Sequence, residues 1–472
     1  MRVTRAMGGA LGILCCALGG PAPSQVAESF PPDPRYKADV LLVVAHPDDD
    51  VVIGGYLARI ALDHEKRVAV IYCTNGDGGG NSVGNEAGAS LGLIREMEAR
   101  RALRFFGIEN VWFLGGHDTP GQNVLRSLDR WNHGAMLDQV VRLIRITQPE
   151  VILTWLPEPV VGENHEDHQA SGVLAVEGFD RAGDPSEFPE QVSPPRDRTG
   201  MANLTEGLAP WQAKKLYFFT DAFEVFGPYW HDADAVPRFR RSLAEGNGPT
   251  YDTKTLSPSR RQSYARLMAE QQAFYQTQEG EIGDRALREG DFSAFEYPMH
   301  LIFGKSLVGG AVTGDVFEGV AAGPVAFAPV RAKVDEKPAA LRFAIGDPWH
   351  FYALFYKAHG LDHLAELIPE PEIEAGYGDR LSLGLVVCNY TRQAAPEVGV
   401  TARLPEGWSD LTQERKYRVD AGACRALERQ LGAPAAGPPG WQKLEWEAEA
   451  GGGKIGTVSV RVFLGKTGGL PQ

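Results

Sequence analysis

The chain is poor in cysteine, in positive charge and in long apolar runs. Five cysteines occur among 472 residues, and no spacing among them suggests a zinc cluster. Lysine and arginine number 47 against 61 acidic residues, a formal net charge of −14. That balance argues against nucleic acid and anionic membrane surfaces as partners. Beyond the N-terminus no run is apolar and long enough for a membrane-spanning helix, so no integral span is expected once a leader is removed. Tandem repeats are absent. What is present is an ordinary globular composition, 43% hydrophobic and 23% charged, with length enough for two or three domains.

The N-terminus differs in kind. MRVTRAMGGALGILCCALGGPAPSQVAESF carries Arg2 and Arg5, then an apolar stretch from Ala6 to Leu18, then small residues and prolines. This is the layout of a secretory signal peptide, residues 1–24, with Ala22 at the −3 position, and it predicts a periplasmic or extracellular protein. The competing reading is the tail of a cytosolic protein. Leu14 is too large for a good lipobox at Cys15. Removal of the leader leaves Cys73, Cys388 and Cys424. Cys73 ends the apolar run VAVIYC and reads as a small core hydrophobe. Cys388 and Cys424 have an oxidising compartment in which to pair, but the sequence leaves that pairing open.

Residues 36–182 alternate strand and helix patterns. DVLLVVA, VAVIYC, VWFL and EVILTW are apolar runs without alternation, separated by amphipathic stretches. Such runs predict a doubly wound, mostly parallel, Rossmann-like α/β sheet covered on both faces, with ligands outside the carboxyl ends of the strands. The loop TNGDGGGNSVG fits neither G-x-G-x-x-G nor G-K-[ST], so it reads as an active-site loop rather than a phosphate cradle. Further on, an amphipathic helix over 350–370 is followed by short alternating runs (LSLGLVVCNYT, EVGVTARLPEGW, KLEWEAEA, TVSVRVFL), which predict an antiparallel β-sandwich. The expected organisation is an α/β domain over 36–310, a linker over 311–345 and a helix plus sandwich over 346–472.

Chemistry gathers at two strand ends. The first strand runs into AHPDDD, placing His46, Asp48, Asp49 and Asp50 where a carboxylate cluster needs a counter-charge. The fourth is followed by GENHEDHQASG, with His165, Glu166, Asp167 and His168 at the start of a helix. Each cluster alone reads as a cap and a solvated loop. In a parallel sheet the two strand ends can be neighbours, and the clusters can then meet as two histidines and a carboxylate around one cation with an open position.

AHPDDD followed by NHEDH resembles the PIG-L/LmbE family of zinc-dependent N-acetylglucosaminyl de-N-acetylases, whose signature is A-H-P-D-D-E with a downstream H-x-D-H. IREMEARRALRFFGI and VWFLGGHD extend the likeness over about residues 38–182. The resemblance implies His46, Asp49 and His168 as metal ligands, for zinc or, in the cell, ferrous iron. It implies Asp48 as the base that deprotonates metal-bound water, His165 as the carbonyl-polarising and oxyanion-stabilising group, and Asp167 as the orienter of a histidine. Arg95 and Asp118 match sugar-contacting positions. Arg95 has an alternative as a helix-surface ion pair with Glu96 or Glu98, and Asp118 as a turn residue before Thr119. Asp50 stands where the family has Glu, and the shorter side chain puts its reach to a partner in question.

The C-terminal series resembles the sandwich attached to some secreted glycosidases, with Trp408 either a sugar platform or a core residue. Every candidate ligand and base precedes residue 170, so this part is expected to be dispensable for chemistry. The function implied is an exported metal-dependent amidohydrolase that removes an N-acyl group, N-acetyl first, from an amino sugar or glycoconjugate. Rivals are an amidase of a thiol-sugar conjugate or antibiotic acyl amide, and a secreted carbohydrate-binding protein with a non-catalytic hydrolase domain.

Overall fold

The computed structural model describes residues 33–465 except 120, 122, 159–164, 194–205, 221–245, 321–322, 331–339, 368–370 and 396; the expected signal peptide lies outside the described residues. Six strands form the first sheet: β1 (Val40–Val44), β2 (Val68–Thr74), β3 (Asn110–Gly116), β4 (Val151–Trp155), β5 (Lys215–Phe219) and β6 (Ile302–Ser306). Their order is β3-β2-β1-β4-β5-β6, with the first five parallel and β6 antiparallel at the edge. Every residue of β1, β2, β4 and β5 is buried, which is why these runs lack alternation. Leu41 and Val43 face a core shared with helices His133–Thr147 and Glu166–Arg181, while Val40, Leu42 and Val44 face helices Ala89–Phe105 and Tyr264–Gln272. The chain leaves β1 toward β2 and β3, then returns to place β4 on the other side. That reversal opens a crevice beyond the carboxyl ends of β1 and β4.

The second half is a sandwich. One sheet orders Ser409–Asp410, Cys424–Gly432, Arg380–Asn389 and Leu341–Ile345, all antiparallel. The other orders Glu372–Ala375, Gly453–Leu464, Gly440–Ala450, Val398–Arg403 and Lys416–Tyr417. It is antiparallel except where Glu372–Ala375 runs parallel to Gly453–Leu464. Leu385, Val387, Leu427, Trp446 and Val462 fill the space between the sheets. Trp408 is a core tryptophan, buried in that cluster with Nε1 donating to Gln442 Oε1 at 2.6 Å. Cys388 and Cys424 sit opposite each other on paired strands and are joined by a disulfide.

The junction differs from the expectation. Leu341–Ile345, inside the expected linker, pairs with Arg380–Asn389. The expected helix over 350–370 runs Trp349–His359 and stops at Gly360, which adopts a left-handed φ of 66° that favours glycine; a short 3-10 helix, Asp362–Leu367, follows. The helix carries Tyr352, Phe355 and Tyr356 on one face, and that face is buried in the α/β core, not in the sandwich. Tyr352 donates to Gln169 Oε1 at 2.7 Å, and Tyr356 to the Pro157 carbonyl at 2.9 Å. At the helix end, His359 Nδ1 and Lys305 Nζ both meet Asp180. The region beyond residue 330 thus contributes side chains to the first core through this helix. Among the described residues, no helix is long and apolar enough to cross a membrane.

Candidate active site

The crevice at the sheet's reversal point receives both clusters. On the β1 side, Asp49 Oδ2 accepts from the backbone N–H of Ala45 at 2.8 Å and of His46 at 3.1 Å, and from Trp155 Nε1 at 2.7 Å. One oxygen is thus spent on the turn, and Oδ1 faces the crevice. Asp48, half-buried, holds φ 109°, a conformation that non-glycine residues rarely adopt. Such strain persists only where the surroundings enforce it, and it clusters at functional sites.

On the β4 side, His165 caps helix Glu166–Arg181 by accepting the Asp167 N–H on Nδ1 at 3.4 Å. That leaves Nε2 as the protonated, donating nitrogen. His168 stacks on Trp155 with ring centroids 4.1 Å apart, and its Nε2 lies 3.1 Å from Asp49 Oδ1. Fully buried Asp167 accepts from the Thr119 N–H at 2.7 Å, from Ser127 Oγ at 2.6 Å and from Thr119 Oγ1. Its Oδ2 also faces His46 Nε2 at 3.3 Å. With Nε2 so engaged, His46 turns Nδ1 to Asp49 Oδ1, 3.6 Å away. Asp167 is thereby placed where it could fix the tautomer and orientation of His46.

The electrostatics follow from burial and proximity. Burial opposes a charge on His46, yet the hydrogen bonds to Asp167 and Asp49 outweigh it and hold its pKa well above the usual value. Burial likewise opposes the Asp49 anion, but the charges and hydrogen bonds of His168 and His46 hold it well below the carboxylate range. His165 goes the other way. Burial, reinforced by His168 and His46, pushes it down to about 2, so its ring is neutral.

This donor set fits a divalent cation. Asp49 Oδ1, His46 Nδ1 and His168 Nε2 converge from different elements, and a positive ion satisfies an arrangement otherwise held together by protons on the histidines. One ligand atom each from His46, His165 and His168 also lies within 4.8 Å of the others, and the same holds for His46, Asp118 and Asp167.

Arg95 and Asp118 border the site. Arg95 is buried and pairs with neither Glu96 nor Glu98; its Nη1 donates to the Gly76 carbonyl at 2.8 Å and its Nη2 to Gly80 at 2.7 Å. The loop wraps the guanidinium so closely that a Cβ at Gly76 or Gly79 would lie 2.6 or 2.5 Å from Nη1. Burial lowers the Arg95 pKa against the pull of Asp48 and Asp118. Asp118 accepts the Gly78 N–H at 3.0 Å through Oδ2, and its Oδ1, buried without a hydrogen bond, lies 3.8 Å from His46 Nε2. It therefore holds the loop and faces the crevice at once.

Several participants escaped sequence reasoning. Trp155 reads as the last residue of an apolar strand, yet it both stacks on His168 and donates to Asp49. Thr119 and Ser127 carry no motif. Asp50 finds partners despite its length: it is fully buried and accepts from Tyr72 at 2.6 Å, Tyr275 at 2.5 Å and Gln271 Nε2 at 2.5 Å. Burial raises its pKa against those donors. Tyr275 and Gln271 lie over 200 residues downstream, beyond the reach of any local pattern.

Residues 41–179 match the family model described as PIG-L, GlcNAc-PI de-N-acetylase. These residues are a PIG-L-family domain. Over 189 residues the chain is 29% identical to a 1D-myo-inositol 2-acetamido-2-deoxy-alpha-D-glucopyranoside deacetylase of Frankia alni, covering 37% of this chain and 59% of that one. A Thermobifida fusca deacetylase of the same description is 27% identical, with 38% and 60% covered. The chain thus spans under two thirds of the length of these relatives. Among solved structures, N,N'-diacetylchitobiose deacetylase from Pyrococcus horikoshii aligns with a TM-score of 0.38 at 17% identity, covering 56% of this chain and 83% of that one. Both clusters described above lie inside the PIG-L domain, whereas Tyr275, Gln271 and helix Trp349–His359 lie outside it.

Proposed function

We propose that this protein is an exported, metal-dependent amidohydrolase that removes an N-acyl group, N-acetyl first, from an amino sugar or glycoconjugate. The observation that carries the reading is the meeting of two distant clusters at one point, Asp49 Oδ1 lying 3.1 Å from His168 Nε2 and 3.6 Å from His46 Nδ1. These three residues would hold zinc, or ferrous iron in the cell. When bound, the cation supplies Lewis acidity, which acidifies water and polarises an amide carbonyl.

The rest belongs to the chain. Asp48, half-exposed on a strained turn, takes the proton of the attacking water and returns it to the leaving amine. Neutral His165 donates Nε2–H to the carbonyl oxygen as negative charge develops there. Asp167 keeps His46 turned toward Asp49, and Trp155 holds His168 and Asp49 against the sheet end. Asp118 and Arg95, beside the crevice, contact the sugar. The amino-sugar class rests on the descriptions of the relatives. Export rests on the leader-like N-terminus and on the Cys388–Cys424 bond, since such bonds persist in oxidising compartments.

The test is acetate release by the full chain, loaded with zinc or ferrous iron, from a panel of N-acetylated amino sugars. Metal-loaded, folded protein that binds these sugars yet releases no acetate from any would overturn the reading in favour of a non-catalytic carbohydrate-binding protein.

A further inference from the structure

A second convergence of ligand atoms lies outside the PIG-L domain. One ligand atom each from His350, Cys388 and Cys424 falls within 4.8 Å of the others. Cys388 is buried in strand Arg380–Asn389, while Cys424, its partner across the ladder, is exposed. His350 reaches them from the first turn of helix Trp349–His359, with Nε2 3.8 Å from Cys388 Sγ. Its Nδ1 is buried without a hydrogen bond. A disulfide needs no imidazole at such a distance. A tetrahedral zinc ion with bonds of about 2.3 Å to sulfur and about 2.0 Å to nitrogen sets those two atoms about 3.5 Å apart, close to what is observed.

We propose that reduction of the Cys388–Cys424 disulfide opens a His350–Cys388–Cys424 site for a thiophilic divalent cation of the zinc type. The reductant is a dithiol. One of its thiolates attacks the exposed Cys424 sulfur and displaces the Cys388 thiolate; its second thiol then closes the dithiol's own disulfide and releases Cys424. Two electrons pass to the protein, and the dithiol is oxidised. A divalent ion takes both sulfurs as thiolates, displacing their protons, together with an imidazole nitrogen of His350. Cys424 has the freedom to swing its sulfur from disulfide to ligand spacing because it is exposed, and the fourth position falls to water. The ion would fasten the sandwich to the helix whose Tyr352 bonds Gln169, the residue after His168.

The test compares oxidised and dithiol-reduced full-length protein, desalted without oxygen and titrated with cobalt(II). The quantity read is the difference between the two forms, so it holds whether or not the PIG-L crevice binds metal. Reduced protein should take up one further equivalent and show thiolate-to-cobalt charge-transfer absorption that the oxidised protein lacks. His350→Ala, which keeps the disulfide, should lose the added equivalent after reduction, and Cys388→Ser/Cys424→Ser should show it neither before nor after dithiol treatment. Folded reduced protein, checked by circular dichroism, with neither the extra equivalent nor the thiolate band overturns the proposal. Unchanged uptake by reduced His350→Ala overturns the part given to the imidazole.

Discussion

The two halves of the molecule bury charge in contrasting ways. In the α/β half, His46, Asp49, Asp167 and His168 are buried in one cluster, and Asp49 and Asp167 each divide their oxygens between the scaffold and the crevice. In the sandwich, fully buried Arg429 turns to Asp410 at 2.7 Å and to the Tyr417 hydroxyl at 3.1 Å, and among the described residues Asp410 belongs to no cluster of potential metal ligands. Buried charge by itself is therefore no mark of function. The distinguishing feature is a surplus of donor and acceptor atoms aimed at a common point after the local hydrogen bonds have been met.

The strongest challenge to this division is to remove the sandwich. Ending the chain after residue 330 also takes away Tyr352, Phe355 and Tyr356 from the α/β core, and truncating a single buried aromatic costs about 3–5 kcal/mol. The expected outcome is a chain without a cooperative thermal transition. If the truncated protein melts cooperatively near the temperature of the full chain, the helix is an ornament of the first core, and the two halves are independent after all.

Within the crevice, the effects should fall on chemistry and not on stability. His168→Ala removes one proposed ligand and should lose bound metal and activity together. Asp48→Asn keeps size and the three ligands, so metal should stay while turnover falls about 10²–10⁴-fold, the usual contribution of a positioned base. Metal content, turnover and melting temperature measured side by side decide the assignment. Loss of metal by Asp48→Asn would make Asp48 a ligand.

The fold and the two clusters were legible because their signals are local. Unalternated apolar runs marked β1, β2 and β4; His46 and Asp49 lie just past β1, and His165 and His168 at the start of the helix that comes after β4. The ring around them was not legible, for a physical reason: Asp50 meets Tyr275, and Asp167 meets Thr119 and Ser127, only once the chain is folded. The break at Gly360 was also hidden, because the apolar pattern on either side continues the same helical period. Helix Trp349–His359 reads as amphipathic from its sequence, but nothing in that period says which half of the molecule covers its face.

The sandwich offers the mirror-image test. Arg429→Met leaves Asp410 without its buried partner and should destabilise the protein by about 3 kcal/mol, as broken buried pairs do. Denaturant unfolding should register this, while turnover per folded molecule stays at the wild-type value. A fall in turnover without a change in stability would mean that the sandwich takes part in chemistry, and the division between halves would need redrawing.

The smallest effect comes from a scaffold carboxylate inside the α/β half. Asp63 accepts from the Ser259 N–H at 2.9 Å and the Tyr264 hydroxyl at 2.7 Å. Partial burial works against its anion, but those donors prevail and bring its pKa from 3.8 to about 2. The unfolded chain therefore binds the proton first as pH falls. The stabilisation is complete above the unfolded value near 3.8 and disappears as pH drops through about 2. Because Asp63 is only half-buried, solvent screening holds its contribution to about 1 kcal/mol or less. Asp63→Asn should remove that share of the acid-side slope of stability between roughly pH 4 and pH 2, leaving turnover at neutral pH unchanged. Melting temperatures of the two proteins should converge at the acid end and separate slightly above it. A separation that instead grows on acidification would mean that the carboxyl is protonated in the fold and donates, reversing the assignment of its hydrogen bonds.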